Sequence, residues 1–135
     1  MMSSDILQVT ANNDERGNNS LLSRTKIFAV RIIKLVKDFP KDHIYRSIGN
    51  QLLRSGTSTS ANYRASHKAR SKAKFIAKLG VVAEEIDESK HWIELLVESG
   101  LIKKTVVERL YKEADEIAAM IHSSIKTARR NRDNK

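Results

Sequence analysis

Phe75, Leu79, Val82, Ile86, Ser89, Ile93 and Leu96 recur at alternating steps of four and three. Only a helix brings positions so spaced onto one face, because each residue turns the chain by about 100°. The pattern predicts a helix over about 72–98. Ser71 stands where an N-cap belongs, and Gly100 stands just past the end, where a left-handed residue stops a helix. The other segments are consistent with that start. Proline occurs once, at Pro40, only five glycines are present, and aromatics make up 5% of the chain. A β-sandwich or barrel would need many turns and many alternating β-branched or aromatic residues. The chain of 135 residues therefore reads as a single all-α domain.

Residues 1–19 are polar apart from Ile6, Leu7 and Val9, and they read as a flexible N-terminal arm. Ser20 is a candidate N-cap for a first helix over about 20–38. Leu21, Phe28, Ile32, Leu35 and Phe39 form one apolar stripe on it, and Val30, Ile33 and Val36 form a second beside it. Pro40 ends that segment, and Asp42 caps a second helix from about His43. Ile44, Ile48, Leu52, Ser55 and Thr59 mark its inner face, and its end falls around 67–70. The run from Ser55 to Ser60 opposes helix by propensity. Gly56 alone costs about 1 kcal/mol relative to alanine, and the hydroxyls compete for backbone hydrogen bonds. Small residues also let two helices approach closely, and the helix is read as continuing through them. A fourth helix begins at Lys104 or Thr105, with Val106, Leu110, Ala114, Ile117, Ile121 and Ile125 or Ala128 as its stripe. The organisation is a bundle over 20–128 and a basic, fraying tail over 129–135. Four amphipathic helices with short connections pack as an antiparallel up-down four-helix bundle. The expected core is Phe28, Ile32, Leu35, Ile48, Leu52, Phe75, Leu79, Val82, Ile86, Ile93, Leu110, Ile117 and Ile121.

Lysine and arginine number 25 against 16 acids, for a formal net charge of +9. Such a balance favours an acidic partner, nucleic acid first, although it also keeps a small protein soluble by self-repulsion. Cysteine is absent, so disulfides, thiolate metal sites and a thiol nucleophile are excluded. No apolar run approaches the roughly 18 residues of a membrane span. The N-terminus lacks the order of a signal peptide. The expectation is a cytoplasmic chain without membrane attachment.

The second and third helices resemble a known family, the four-helix-bundle proteins encoded in intervening sequences of bacterial large-subunit ribosomal RNA genes. The likeness rests on Phe39-Pro40, on Gln51, Leu52, Arg54, Ser55, Gly56 and Ser58, and on Ala61-Asn62-Tyr63-Arg64. It continues through Ser71, Lys72, Ala73, Phe75, Ile76, Lys78 and Leu79, then Glu85, Glu88 and Trp92. Ser60 departs from the glycine or proline usual before Ala-Asn, and Ala65-Ser66 stands where an acid commonly follows. The resemblance implies a ring-shaped homo-oligomer, commonly a pentamer, with no enzyme activity. Relatives of the same fold serve as accessory proteins to reverse transcriptases, where a basic ring contacts polymerase and nucleic acid.

The basic run Arg64, Lys68, Arg70, Lys72, Lys74 and Lys78 contains no acid and spans a helix–helix connection. It is the candidate nucleic-acid surface, with Arg129, Arg130 and Arg132 as a second contact; a merely solvated face is the alternative. Few exposed aromatics are expected there, which favours backbone binding, to RNA above all, with weak sequence preference. Arg54, Asn62, Arg64, Glu85 and Glu88 read as a structural polar network. Glu88 and His91 have the spacing of half a di-iron motif, but no second copy exists, so no metal or other cofactor is expected. The serines and threonines near Thr57 have no base beside them, so no catalytic residue is assigned. The second stripe of the first helix leaves an adaptor that binds another protein as the competing reading.

Overall fold

The structure, a computed structural model, describes residues 20–134; the expected arm over 1–19 lies outside them. Four helices make up the described chain: α1 (Leu21–Lys37), α2 (His43–Ser66), α3 (Lys72–Glu98) and α4 (Lys104–Asp133). No strand occurs among the described residues. Three of the four starts are capped by a side chain, which satisfies backbone donors that the first turn of a helix leaves free. Ser20 Oγ accepts from Ser23 N at 3.1 Å. Asp42 Oδ1 accepts from Ile44 N at 2.8 Å. Ser71 Oγ accepts from Lys74 N at 3.1 Å. At the other end of α3, Gly100 adopts a φ of 79°. Leu101 N and Ile102 N both donate to Leu96 O, which closes the helix.

Each helix packs on two others, so that α1, α2, α3 and α4 close into a four-helix bundle. The core runs down its middle. Phe28, Ile32, Leu52, Leu79, Val82, Ile86, Ile117 and Ile121 are wholly enclosed. Each such side chain contributes about 1.5–3 kcal/mol by leaving water. The hydroxyl-rich part of α2 is helical throughout, for two reasons. Its hydroxyls are satisfied locally, by carbonyls of the preceding turn. Thr57 Oγ1 donates to Leu53 O at 2.7 Å. Thr59 Oγ1 donates to Ser55 O at 2.8 Å. Its smallness is also required. A Cβ on Gly56 would lie 2.5 Å from Ile32 Cδ1, so only glycine lets α1 and α2 approach this closely. Ser55 and Ser89 meet across the α2–α3 seam with hydroxyls 2.8 Å apart, which explains the serine in the α3 stripe.

The structure corrects several expectations. Phe75, Leu35 and Ile48 are half-buried against the core rather than inside it, and Ile76 takes the buried place beside Phe75. Ile44 is 47% exposed, because Tyr45 turns inward instead and its hydroxyl donates to Leu101 O at 2.7 Å. Val106 is 62% exposed, and Val107 fills the position assigned to it. α2 ends at Ser66, before the expected 67–70. Residues 129–133, expected to fray, continue α4, with Ile125 buried and Ala128 packed against the core.

Candidate nucleic-acid interface

α2 stops because its last residues turn tightly. His67 N donates to Arg64 O, Lys68 N to Ala65 O and Ala69 N to Ser66 O before Ser71 opens α3. Two helix ends and a short connection therefore carry the whole basic run. Arg64, Lys68, Arg70, Lys72, Lys74 and Lys78 are all exposed. None forms an ion pair among the described residues, and Lys78 Nζ finds only Asn62 Oδ1 at 3.4 Å. The reason is compositional, since no acid occurs between His43 and Ala83. Arg129, Arg130 and Arg132 are also exposed, on the last turns of α4; Arg132 Nε donates to its neighbour Asp133 at 3.1 Å.

The connection also forms an open recess of about 380 Å³, lined by Ser66, His67, Ala69, Arg70, Ser71, Lys72 and Phe75. Phe75 packs on the core while also lining this recess. Tyr63 meets the His67 ring edge-on at 5.0 Å, and its own burial raises the Tyr63 phenol above its usual pKa. An aromatic at the basic surface was not foreseen. The available signal was the adjacent apolar pair Phe75-Ile76, of which only one can sit squarely in the core.

The polar network forms in part. Arg54 pairs with Glu85 at 3.2 Å and with Glu88, bridging α2 and α3. The hydrogen bond from Arg54 holds the Glu88 carboxyl below its usual pKa, and Trp92 and His91 add smaller contributions in the same direction. Trp92 Nε1 is nevertheless buried without a hydrogen bond of good geometry. Asn62 donates back to Ser58 O at 2.9 Å, within its own helix. Arg64 takes no part, contrary to expectation. Ten residues of helix turn it roughly 80° away from Arg54.

A second set of ion pairs joins the later turns of α3 and the earlier turns of α4 to their neighbours. The Arg24 guanidinium reaches Glu113 at 2.7 Å and Glu116 at 3.0 Å, and Arg24 Nη1 lies 3.1 Å from Met120 Sδ. Lys90 Nζ meets Asp115 at 2.6 Å. Tyr111 Oη donates to Glu94 at 2.5 Å, and chiefly for that reason its pKa is pushed up to about 12. His91 stacks edge-on against Trp92 at 5.1 Å, with Glu88 committed to Arg54. Ser55 and Ser89 are buried in the packing. No described helix is long and apolar enough to cross a membrane.

No curated protein matches the chain. A crystal structure from Bacteroides thetaiotaomicron VPI-5482, of a protein with unknown function from the S23 ribosomal protein family, is similar at 34% identity and a TM-score of 0.75. The likeness covers 79% of this chain and 99% of that one. The model of the 23S rRNA-intervening sequence protein family matches residues 18–123, the span from the first cap through most of α4. With both the bundle and the greater part of its length accounted for, the chain belongs to the 23S rRNA-intervening sequence protein family.

Proposed function

We propose that this protein is a non-enzymatic, cytoplasmic, homo-oligomeric module that binds nucleic acid, RNA in preference, through phosphate contacts. The observation that carries this reading is the convergence of two basic segments, the first without an ion pair among the described residues and the second paired only at Arg132, with its neighbour Asp133. Glu94 pairs with Tyr111, and Lys90, four residues earlier, pairs with Asp115, four residues later. Along α2 and α3, Tyr45 meets Leu101, Arg54 meets Glu88, and Asn62 meets Lys78. Both series run in opposite directions along their helices, which supports an antiparallel course. Continued at that pitch, Lys126, Arg129 and Arg130 come level with the first turns of α3, where Lys72, Lys74 and Lys78 stand. The acid-free stretches 64–78 and 126–132 therefore share one end of the bundle. A surface of free cations releases the counterions of a polyphosphate when it binds. A homo-oligomer, with a pentameric ring favoured, multiplies that patch by avidity.

Light scattering coupled to size exclusion tests the reading, with a structured RNA at low and high salt. The expected result is a multi-subunit particle that carries RNA at low salt and releases it at high salt. Elution unchanged by RNA at every salt would sink it. A second reading, an adaptor that binds another protein, rests on the second stripe of α1; there Val36 packs against the core and Val30 is half-buried, which leaves Ile33, 43% exposed, with Leu22, 47% exposed, outside that stripe. It requires a specific protein partner at ordinary salt and indifference to RNA.

A further inference from the structure

The geometry points to an unpaired nucleotide as the occupant of the recess at the α2–α3 turn, its base against Phe75 and His67 and its phosphate against Arg70 and Lys72. This rests on the reading of the basic end as a nucleic-acid surface. It narrows that reading from a patch that tracks a backbone to a site that also holds a single-stranded base.

Three observations carry it. The first is shape. The turn is not flat but forms a shallow, open recess of about 380 Å³, matched in volume by two others, one at Phe39, Tyr45 and Leu101 and one at Arg31, Lys34 and Arg109, so that the lining singles it out. That volume lies within the range of small-molecule sites, near its lower end. The stacked bases of a double helix cannot enter such a recess, but a splayed base of a loop or single strand can.

The second is the lining. Phe75 lines the recess from the edge of the core because Ile76, 8% exposed, occupies the buried position beside it. His67 lines the same recess, and Tyr63 supports its ring from the side. Stacking on aromatic rings beside a cationic track is how proteins bind single strands without strong sequence preference.

The third is charge. Arg70 and Lys72 belong to the lining, Lys74 and Lys68 stand next to it in sequence, and no carboxylate lines it. Ser66 Oγ donates to Tyr63 O, whereas Ser71 Oγ accepts from Lys74 N and keeps its own O–H to offer beside the cations. The two cations, with the Ser71 O–H, face the phosphate. The apolar cavity between α3 and α4 at Ile93, Val97, Val107 and Tyr111 makes a useful contrast. It is smaller, about 180 Å³, and Glu94, Glu98 and Glu108 line it, so a phosphate is repelled there. An acidic peptide would satisfy Arg70 and Lys72 but would leave the Phe75 ring without a planar partner.

The test titrates the full chain into a short single-stranded RNA carrying one 2-aminopurine, and into an abasic strand of equal length and phosphate count. The expected result is a change in 2-aminopurine emission that saturates together with anisotropy, and ~10-fold weaker binding of the abasic strand. Phe75→Leu should bring the base-bearing strand down to the abasic affinity and remove the emission change. Should circular dichroism show that variant unfolded, His67→Ala, at an exposed position, should lower the affinity for the base-bearing strand alone. Equal, salt-dependent binding of both strands with unchanged emission would overturn this inference and leave phosphate binding standing. No binding of any strand would overturn both. A poly-glutamate peptide that binds as tightly as the RNA would overturn it too, and would assign the recess to an acidic protein partner instead.

Discussion

Arg24, Arg54 and Lys90 each lie against a carboxylate, whereas Lys68, Arg70 and Lys72 have none within reach among the described residues. The first three meet the acid-bearing turns of α3 and α4, residues 84–98 and 108–116, and there they join helices. The second three stand at the α2–α3 turn and join nothing among the described residues. The first set stands on helices, with Arg24 and Lys90 partly covered, and the second is exposed, with Lys68 and Arg70 in the connection itself. What separates them is the distribution of acids, which the chain confines to parts of its length. A net charge of +9 describes neither region. It averages a half in which charge is spent on cohesion and an end in which charge is available to a partner.

Matched deletions turn this contrast into a measurement, since three cations removed from either region lower the net charge equally. Lys68→Gln, Arg70→Gln and Lys72→Gln together should weaken RNA binding by about 30-fold at low salt. They should also flatten the slope of log affinity against log salt by about 2, the value for three lost phosphate contacts on a single strand. The thermal midpoint should stay unchanged. Arg24→Gln, Arg54→Gln and Lys90→Gln should do the reverse, leaving RNA affinity within about threefold and lowering the midpoint. If both triples weaken RNA binding alike, net charge governs affinity and the contrast between regions fails.

The paired region can be probed further by stability alone. Arg24→Gln by itself should cost about 1 kcal/mol in urea unfolding, the upper range for an ion pair at a partly covered surface. Tyr111→Phe removes the hydrogen bond to Glu94 and should cost about 1 kcal/mol at neutral pH. It also carries a pH signature. The Tyr111 pKa is raised to about 12 in the folded chain. Its contribution is therefore complete below the ordinary phenol pKa and is lost as pH rises through the folded value. Absorbance titration of the tyrosinate should lose its latest-titrating component in Tyr111→Phe, and neither change should alter RNA binding.

Local signals predicted local structure well. Ser20, Asp42, Ser71 and Gly100 are read directly from sequence because capping depends on a residue's own side chain or φ. The four-and-three pattern of α3 held from Leu79 to Leu96, even at Ser89, whose partner Ser55 lies on another helix. Ambiguity arose wherever two apolar residues are adjacent. Phe75-Ile76 and Val106-Val107 both fit a helical stripe, and a choice between neighbours turns the face by about 100°. Only the packing partner decides, and it is distant in sequence. The Arg54 network was legible because Glu85 and Glu88 share one side of α3. Arg24 with Glu113 was not, because the register of α1 on α4 leaves no local trace. The recess was hidden for the same reason. It exists only once the turn places Phe75 beside His67 and Arg70.

The smallest expected effect concerns Glu88, and it tests whether cohesion in the paired region is electrostatic at all. Arg54 donates to Glu88 and thereby lowers its pKa in the folded chain, while the unfolded chain keeps the ordinary value. The folded protein therefore holds fewer protons than the unfolded one in that window, and stability must rise with pH across it. The contribution is complete above the ordinary carboxylate pKa and disappears as pH falls through the depressed one. Both side chains are largely in water, so screening keeps the effect small and salt-sensitive. Arg54→Gln should lower the midpoint slightly at neutral pH and converge with the parent as pH falls through the depressed Glu88 pKa, which flattens the acid limb of the midpoint-against-pH curve, and the difference should vanish in high salt. A parent and variant with parallel acid limbs would mean that Arg54 joins α2 to α3 by packing of its aliphatic stem, and that the paired half of the molecule owes less to its charges than its geometry suggests.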